Sequence, residues 1–224
     1  FGDDGVFTIR PKDGKEGTLD NYLPDWVNYP EYEKSGITKI KIEGTVHTGN
    51  KAGQLFQYFT NVKSMDLRGL DTSGATSMAW MFLGCTNLTT LDLSGFNTSH
   101  VTDMDSMFWG CSSLTSLNLK RFDTSQVQNM FAMFEGCSSL TSLDLSDFET
   151  PNIVSMGEMF EECSSLESLD VSEFDTSHAY IGDMLSGCTS LSKIVLGEKP
   201  FLKGAYGSKA DLPSPPSSSA SQFT

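Results

Sequence analysis

Basic residues are scarce in this 224-residue chain: 15 lysines and arginines stand against 29 acidic residues, for a net charge of −14. Phosphate backbones and anionic membranes are held by clustered Lys and Arg, so neither is an expected partner. Cationic partners, or bare solubility, are what this charge allows. Long apolar runs are also missing. No stretch reaches the about 18 apolar residues that a membrane-crossing helix needs. The chain opens on Phe1-Gly2-Asp3-Asp4 with no basic-then-apolar leader, so a secretory signal, if the gene encodes one, is expected outside this sequence. Histidine occurs only as His47, His100 and His178, scattered. No nucleophile elbow, phosphate loop or zinc spacing is present. The expectation is therefore no enzyme, no cofactor and no metal site.

What is present is a repeat. Met107-Phe108-Trp109-Gly110-Cys111-Ser112-Ser113-Leu114 runs on through Leu117-Asn118-Leu119 to Phe122-Asp123-Thr124-Ser125. The same skeleton precedes it at Met81-Phe82 and follows it at Met133-Phe134 and Met159-Phe160, with a degraded copy at Met184-Leu185. A fixed period of this length is the signature of a solenoid, in which each coil buries the next.

The five cysteines, Cys85, Cys111, Cys137, Cys163 and Cys188, take one position per repeat. Side chains in register on coils about 4.8 Å apart keep their Cβ atoms wider than the about 3.8 Å of a disulfide. A ladder of free, buried thiols is the favoured reading, bridges the alternative, and metal binding the weakest, for want of a Cys-x-x-Cys pair.

Within each copy, Leu88-x-x-Leu91-x-Leu93 has the alternation of a strand with one buried face. Ile37, Ile40 and Ile42 align with Val62, Met65 and Leu67, one residue short of the period, as the first rung. Val101, Met104, Met107 and Phe108 fall within an arc of about 120° on a helix. Thr98 and its equivalents are expected helix N-caps, Pro151 a first helical residue, and Gly84, Gly110, Gly136 and Gly187 helix ends. The fold class expected is α/β: a repeat solenoid with a single parallel β-sheet of about seven strands on the concave face, about 29 Å wide. Short helices should cover the convex face, with right-handed winding. Residues 1–35 form a non-repeat cap bearing Tyr22, Trp26, Tyr29 and Tyr32, for which an aromatic sugar platform is the alternative. Residues 36–199 form the solenoid, and 200–224 an extension and Pro/Ser-rich linker.

The repeat unit Met-Phe-x-Gly-Cys-Ser-Ser-Leu-x-Ser-Leu-Asp-Leu-Ser-x-Phe-Asp-Thr-Ser resembles the BspA-like class of leucine-rich repeats of bacterial surface proteins. It does so over about residues 53 to 197. The resemblance implies a secreted protein at the bacterial cell surface that adheres to a host or neighbouring-cell protein or glycan. Phe96 and its equivalents stand where an asparagine ladder is usual. No Leu-Pro-x-Thr-Gly anchoring motif occurs in the sequence.

Two surfaces escape the core pattern. On the strand face, Asp66, Asp92, Asn118, Asp144 and Asp170 form a stripe flanked by Arg68 and Lys120. Stacked like charges repel, so this stripe either meets a cationic or hydroxyl-rich partner or is satisfied by serines, water and ions. On the expected helices, Trp80, Trp109 and Phe131 break the consensus in successive coils and would share one patch, either a contact site or packing against a neighbouring helix. The expected function is binding or adhesion to a protein or glycan. A structural spacer or self-associating surface element without a ligand is the alternative.

Overall fold

The computed structural model describes residues 5–19, 24, 34, 36–199, 201, 203–210 and 212, and in it each period forms one coil of a parallel β-solenoid of about six turns. The stack begins earlier than the repeat. Strand β1 (Val6–Ile9) pairs in parallel with β3 (Lys39–Ile42), which pairs with β5 (Ser64–Asp66). Ile40 and Ile42 turn into the core while Lys39 and Lys41 face solvent, the period-two alternation of a one-sided strand. The register Ile40↔Met65 is the alignment expected of the first rung. Beside it lies a second parallel sheet that the repeat does not announce: β2 (Glu16–Thr18), β4 (Thr45–His47) and β6 (Leu70–Asp71). At the other end β7 (Ser142–Asp144), β8 (Ser168–Val171) and β9 (Lys193–Leu196) form a third, with Leu143, Leu169 and Ile194 in register.

The single seven-stranded sheet is thus corrected to separate three-stranded sheets. Between Asp66 and Ser142 the ladder lapses. Among the described residues, no backbone hydrogen bond joins rung Leu91–Leu93 to rung Leu117–Leu119. Leu91, Leu93 and Leu119 are nevertheless buried, so apolar burial holds the rungs themselves, while the Ser113 N–H on the Thr86 carbonyl ties the coils just ahead of them.

The expected convex helices do not form. The backbone opposite the strands is extended and turning, and its N–H groups reach the next coil. Met78 donates to the carbonyl of Asp103 (2.9 Å), Trp80 to Asp105 (2.8 Å), Phe82 to Met107 (2.9 Å) and Gly84 to Trp109 (2.7 Å). A helix would spend these donors on its own carbonyls four residues back. Twice per coil the chain also enters the left-handed region, as at Trp80 (φ 61°) and Gly84 (φ 70°), then Ser106 and Gly110, then Ala132 and Gly136. Such residues break a right-handed helix. The glycines do have the conformation that favours them, but within a turn rather than at a helix end. Val101, Met104, Met107 and Phe108 are all buried as expected, because spacings of three and four suit a repeatedly turning chain as well as a helix. Pro151 likewise opens a turn.

Thr98 is not a cap. Its buried hydroxyl donates to the carbonyl of Asp123 (3.0 Å) and accepts from that residue's N–H (2.8 Å), tying one coil to the next. Thr72, Thr124, Thr150 and Thr176 repeat the donation down the stack. Two further columns fill the core. Phe82, Phe108, Phe134 and Phe160 stack at centroid spacings of 5.6 to 5.7 Å. The five cysteines are free and buried, each thiol donating to a phenylalanine carbonyl in the preceding coil, as Cys111 does to Phe82 at 3.2 Å. Where Phe59 replaces cysteine, the buried Lys34 ammonium stands 5.1 Å from its ring and donates to the Gln57 carbonyl at 3.0 Å. The aromatic group Tyr22, Trp26, Tyr29 and Tyr32, and the linker beyond Leu212, lie outside the described residues.

Candidate functional site

The strand-face stripe is organised as a column of turns. Asp92, Asp144 and Asp170 each accept the backbone N–H two residues on, from Ser94 (3.0 Å), Ser146 (3.1 Å) and Ser172 (3.1 Å). Asn118 does the same for Lys120 at 3.2 Å. Asp66 takes both Nε and Nη2 of Arg68, at 2.8 and 2.7 Å, and this pairing pulls its pKa down to about 2. The serine backbone and hydroxyl likewise lower Asp92, and for Asp144 the Ser146 hydroxyl leads, with the Lys120 ammonium 3.4 Å away. Asp66 and Asp144 end their strands, and all four carboxylates are satisfied locally. In the lapse of the ladder, Asp92, Ser94, Asn118, Lys120 and Arg121 line a small cleft of about 130 Å³.

The turn face is different. Its outermost backbone is extended, so side chains two residues apart project to the same side. One such column runs Lys51, Ser77, Asp103, Asn129, Ser155 and Tyr180, joined by parallel bridges. Two residues on runs Gly53, Ala79, Asp105, Phe131, Gly157 and Gly182. Between them at the first coils opens a groove of about 300 Å³. Gly53, Ser77 and Ala79 contribute small side chains to it, and Trp80, Asp103, Asp105, Lys51 and Gln54 complete the lining. Gly53 is required there, since a Cβ would come within 2.6 Å of the Ala79 carbonyl.

Trp80 is 39% exposed although it is among the largest side chains in the chain. Trp109 is 37% exposed, and Phe131 is half-buried with its N–H held by the Asn129 side chain at 3.1 Å. Neither lines the groove, and among the described residues no ring contact joins the three. Asp105 is half-buried, and burial raises its pKa, as does the neighbouring Asp103 charge; the Ser106 hydroxyl, donating at 2.7 Å, opposes them. Sequence reasoning missed Gly53, Asp103 and Asp105. Read on a helix, residues two apart diverge by about 200°, and the pair never appears as a pair. The usable signal was the column itself: Gly53, Ala79, Gly157 and Gly182 are small, and Asp105 and Phe131 interrupt them.

Two other charged groups are ordered. Glu135, Glu158 and Glu161 bring carboxylate oxygens within 4.8 Å of one another, and burial with mutual repulsion raises the pKa of Glu158 and Glu161. His47 is clamped between Glu16 (Nε2 to Oε1, 2.7 Å) and Asp71 (Nδ1 to Oδ2, 2.6 Å), and these partners raise its pKa. His100 and His178 sit beside Ser99 and Ser177.

A family model described as Mycoplasma protein of unknown function, DUF285, matches residues 50–169 and 115–196. No curated protein matches the chain. Among solved structures, the TLR13–ssRNA13 complex is similar at 15% identity and a TM-score of 0.31, covering 81% of this chain. This chain spans only 35% of that receptor's length. A leucine-rich repeat protein from Eubacterium ventriosum ATCC 27560 is similar at 14% identity and a TM-score of 0.27, covering 88% of this chain and 81% of that one.

Proposed function

The chain belongs to the DUF285 family, and from the solenoid that its repeats build we propose a recognition module that binds a protein partner through the turn face. The observation that carries this reading is Trp80. Equivalent positions in the other coils hold Gln54, Ser106, Ala132, Glu158 and Asp183, all with positive φ. A bulky indole in that left-handed backbone, left 39% exposed at the rim of a groove, stands out from the polar and small residues of the other coils. Aromatic residues of this kind anchor interfaces because they bury much area at little entropic cost. The reading is of a binding protein and not an enzyme. The BspA-like form of the repeat supports placing it at a bacterial cell surface, in adhesion to host or neighbouring cells.

An array of extracellular proteins and glycans probed with the wild-type chain and with Trp80→Ala tests this. Protein hits that weaken about tenfold or more in Trp80→Ala, yet persist in Asp92→Ala/Asp144→Ala, are expected. No hits, together with concentration-dependent oligomers, would establish the spacer instead. Hits lost only in the aspartate variant would move recognition to the strand face.

A further inference from the structure

Further down the stack, the counterpart of the Trp80 groove is already filled. There the ring of Tyr180 lies over Gly157 and Gly182, so close that a Cβ at either glycine would fall within 2.5 Å of a ring carbon or 2.3 Å of the hydroxyl oxygen. Aromatic cover over a small-residue floor is thus something this fold supplies to itself where it can. Over Gly53 and Ala79 the floor is left open, with Trp80 beside it.

Acidic residues flank both ends: Glu158 and Asp183 hold the equivalent positions at the filled one, where Trp80 stands at the open one. Asp103 and Asp105 line the groove, and among the described residues no cation comes within ion-pair distance of either. Lys51 lines it too, without forming such a pair. Asp105 engages the Ser106 hydroxyl through Oδ1, and Asp103 accepts the Ser77 hydroxyl at 3.4 Å through Oδ2 and the Asp105 N–H at 3.2 Å through Oδ1. No hydrogen bond among the described residues reaches Oδ2 of Asp105, which is open to solvent. A half-buried carboxylate and an exposed indole lining one groove supply the two groups that receive a cation, a negative charge and a π-system. A space of about 300 Å³ lies at the small end of ligand sites and suits one side chain better than an extended ligand.

We propose that the Trp80 groove receives a basic side chain of the protein partner, an arginine stacked on the indole with its guanidinium edge toward Asp105. This rests on the recognition reading above and names the chemistry that it selects. The flat guanidinium satisfies ring and carboxylate together, which a point-charge ammonium does less well.

The test uses a short peptide with a single arginine, tagged with a neutral dye, and its citrulline counterpart, which keeps the planar shape but loses the charge and exchanges one donor NH2 for a carbonyl oxygen. Fluorescence anisotropy should show the arginine peptide binding at least about fivefold tighter than the citrulline peptide, with salt weakening it. Asp105→Asn, nearly isosteric, should remove that preference, and Trp80→Ala should weaken the arginine peptide by a similar factor. Asp144→Asn on the strand face should change nothing. Equal binding of the two peptides, a preference that survives Asp105→Asn, or no binding at millimolar peptide would each overturn the proposal. So would a neutral tetrasaccharide that competes for the groove. Array proteins that depend on Trp80 while citrulline binds as well as arginine would leave recognition standing and remove only the cation. Array proteins indifferent to Trp80 would remove recognition itself.

Discussion

At the scale of residues, the columns that recur are held by polar atoms as firmly as by apolar ones. Thr98 shows this most clearly, because one buried hydroxyl serves both the N–H and the carbonyl of Asp123. Thr98→Val keeps the shape and strands both groups, so urea unfolding should show a loss of about 1–3 kcal/mol, whereas Thr98→Ser restores most of it. The cysteines are a second case. Burial pushes the thiols of Cys85, Cys137 and Cys188 up to about 12, and those of Cys111 and Cys163 are also raised by burial. Reaction needs the thiolate. An aromatic disulfide reagent should therefore label the native protein only as fast as it unfolds, and label all five thiols at once in denaturant. Rapid labelling of a native thiol would contradict the burial described here.

At the scale of elements, the clamp on His47 joins β2, β4 and β6 through side chains, and it makes this second sheet sensitive to pH. The partners raise the histidine's folded pKa. Its contribution is therefore fully present below its unfolded value near 6.5 and is lost as pH rises through the higher folded value. Asp71 is shifted the other way, chiefly by the Ser73 backbone and hydroxyl. Its contribution is present above the ordinary carboxylate range and fades as pH falls through its lowered value. Melting temperatures of wild type and His47→Gln should differ most at mildly acidic pH and converge in alkaline buffer. A difference that grew with pH would reverse the sign argued here.

The elements also show what the sequence could reveal. Period, buried columns, the register Ile40↔Met65 and the free thiols follow from side-chain identity and spacing, which is where a solenoid writes its information. The helices did not follow, since Val101, Met104, Met107 and Phe108 fit a helix and a turning chain equally. The deciding facts were the left-handed backbone at Trp80, Ser106 and Ala132, residue types that give no warning of it. The strand β1 was missed as a rung because Val6–Ile9 stands outside the period. For the candidate site, Trp80 was legible as an exception, while Asp103 and Asp105 needed the backbone.

At the scale of the whole molecule, stability should behave as a sum over coils and the contacts between neighbours. Deleting residues 103–128, one full period, brings Asn129 beside Ser77 and keeps every buried column continuous. Circular dichroism should show a folded stack that unfolds at lower urea. Deleting only 103–115 puts the columns out of register and should leave the chain unfolded. The full-period deletion also replaces Asp103 and Asp105 with Asn129 and Phe131, so the charged groove should vanish while the fold survives.

The lapse of the ladder between Leu91–Leu93 and Leu117–Leu119 gives the molecule a mechanical character. There the coils are sewn along the turn face, like pages bound at a spine, while along the strand face only flanking stitches remain, Ser113 to the Thr86 carbonyl and Asp123 with Thr98. Flexing about that spine breaks no backbone hydrogen bond between the leucine rungs themselves and is resisted by those stitches and by leucine contact. The cleft around Asp92 and Asn118 is thus where the strand face is least tied.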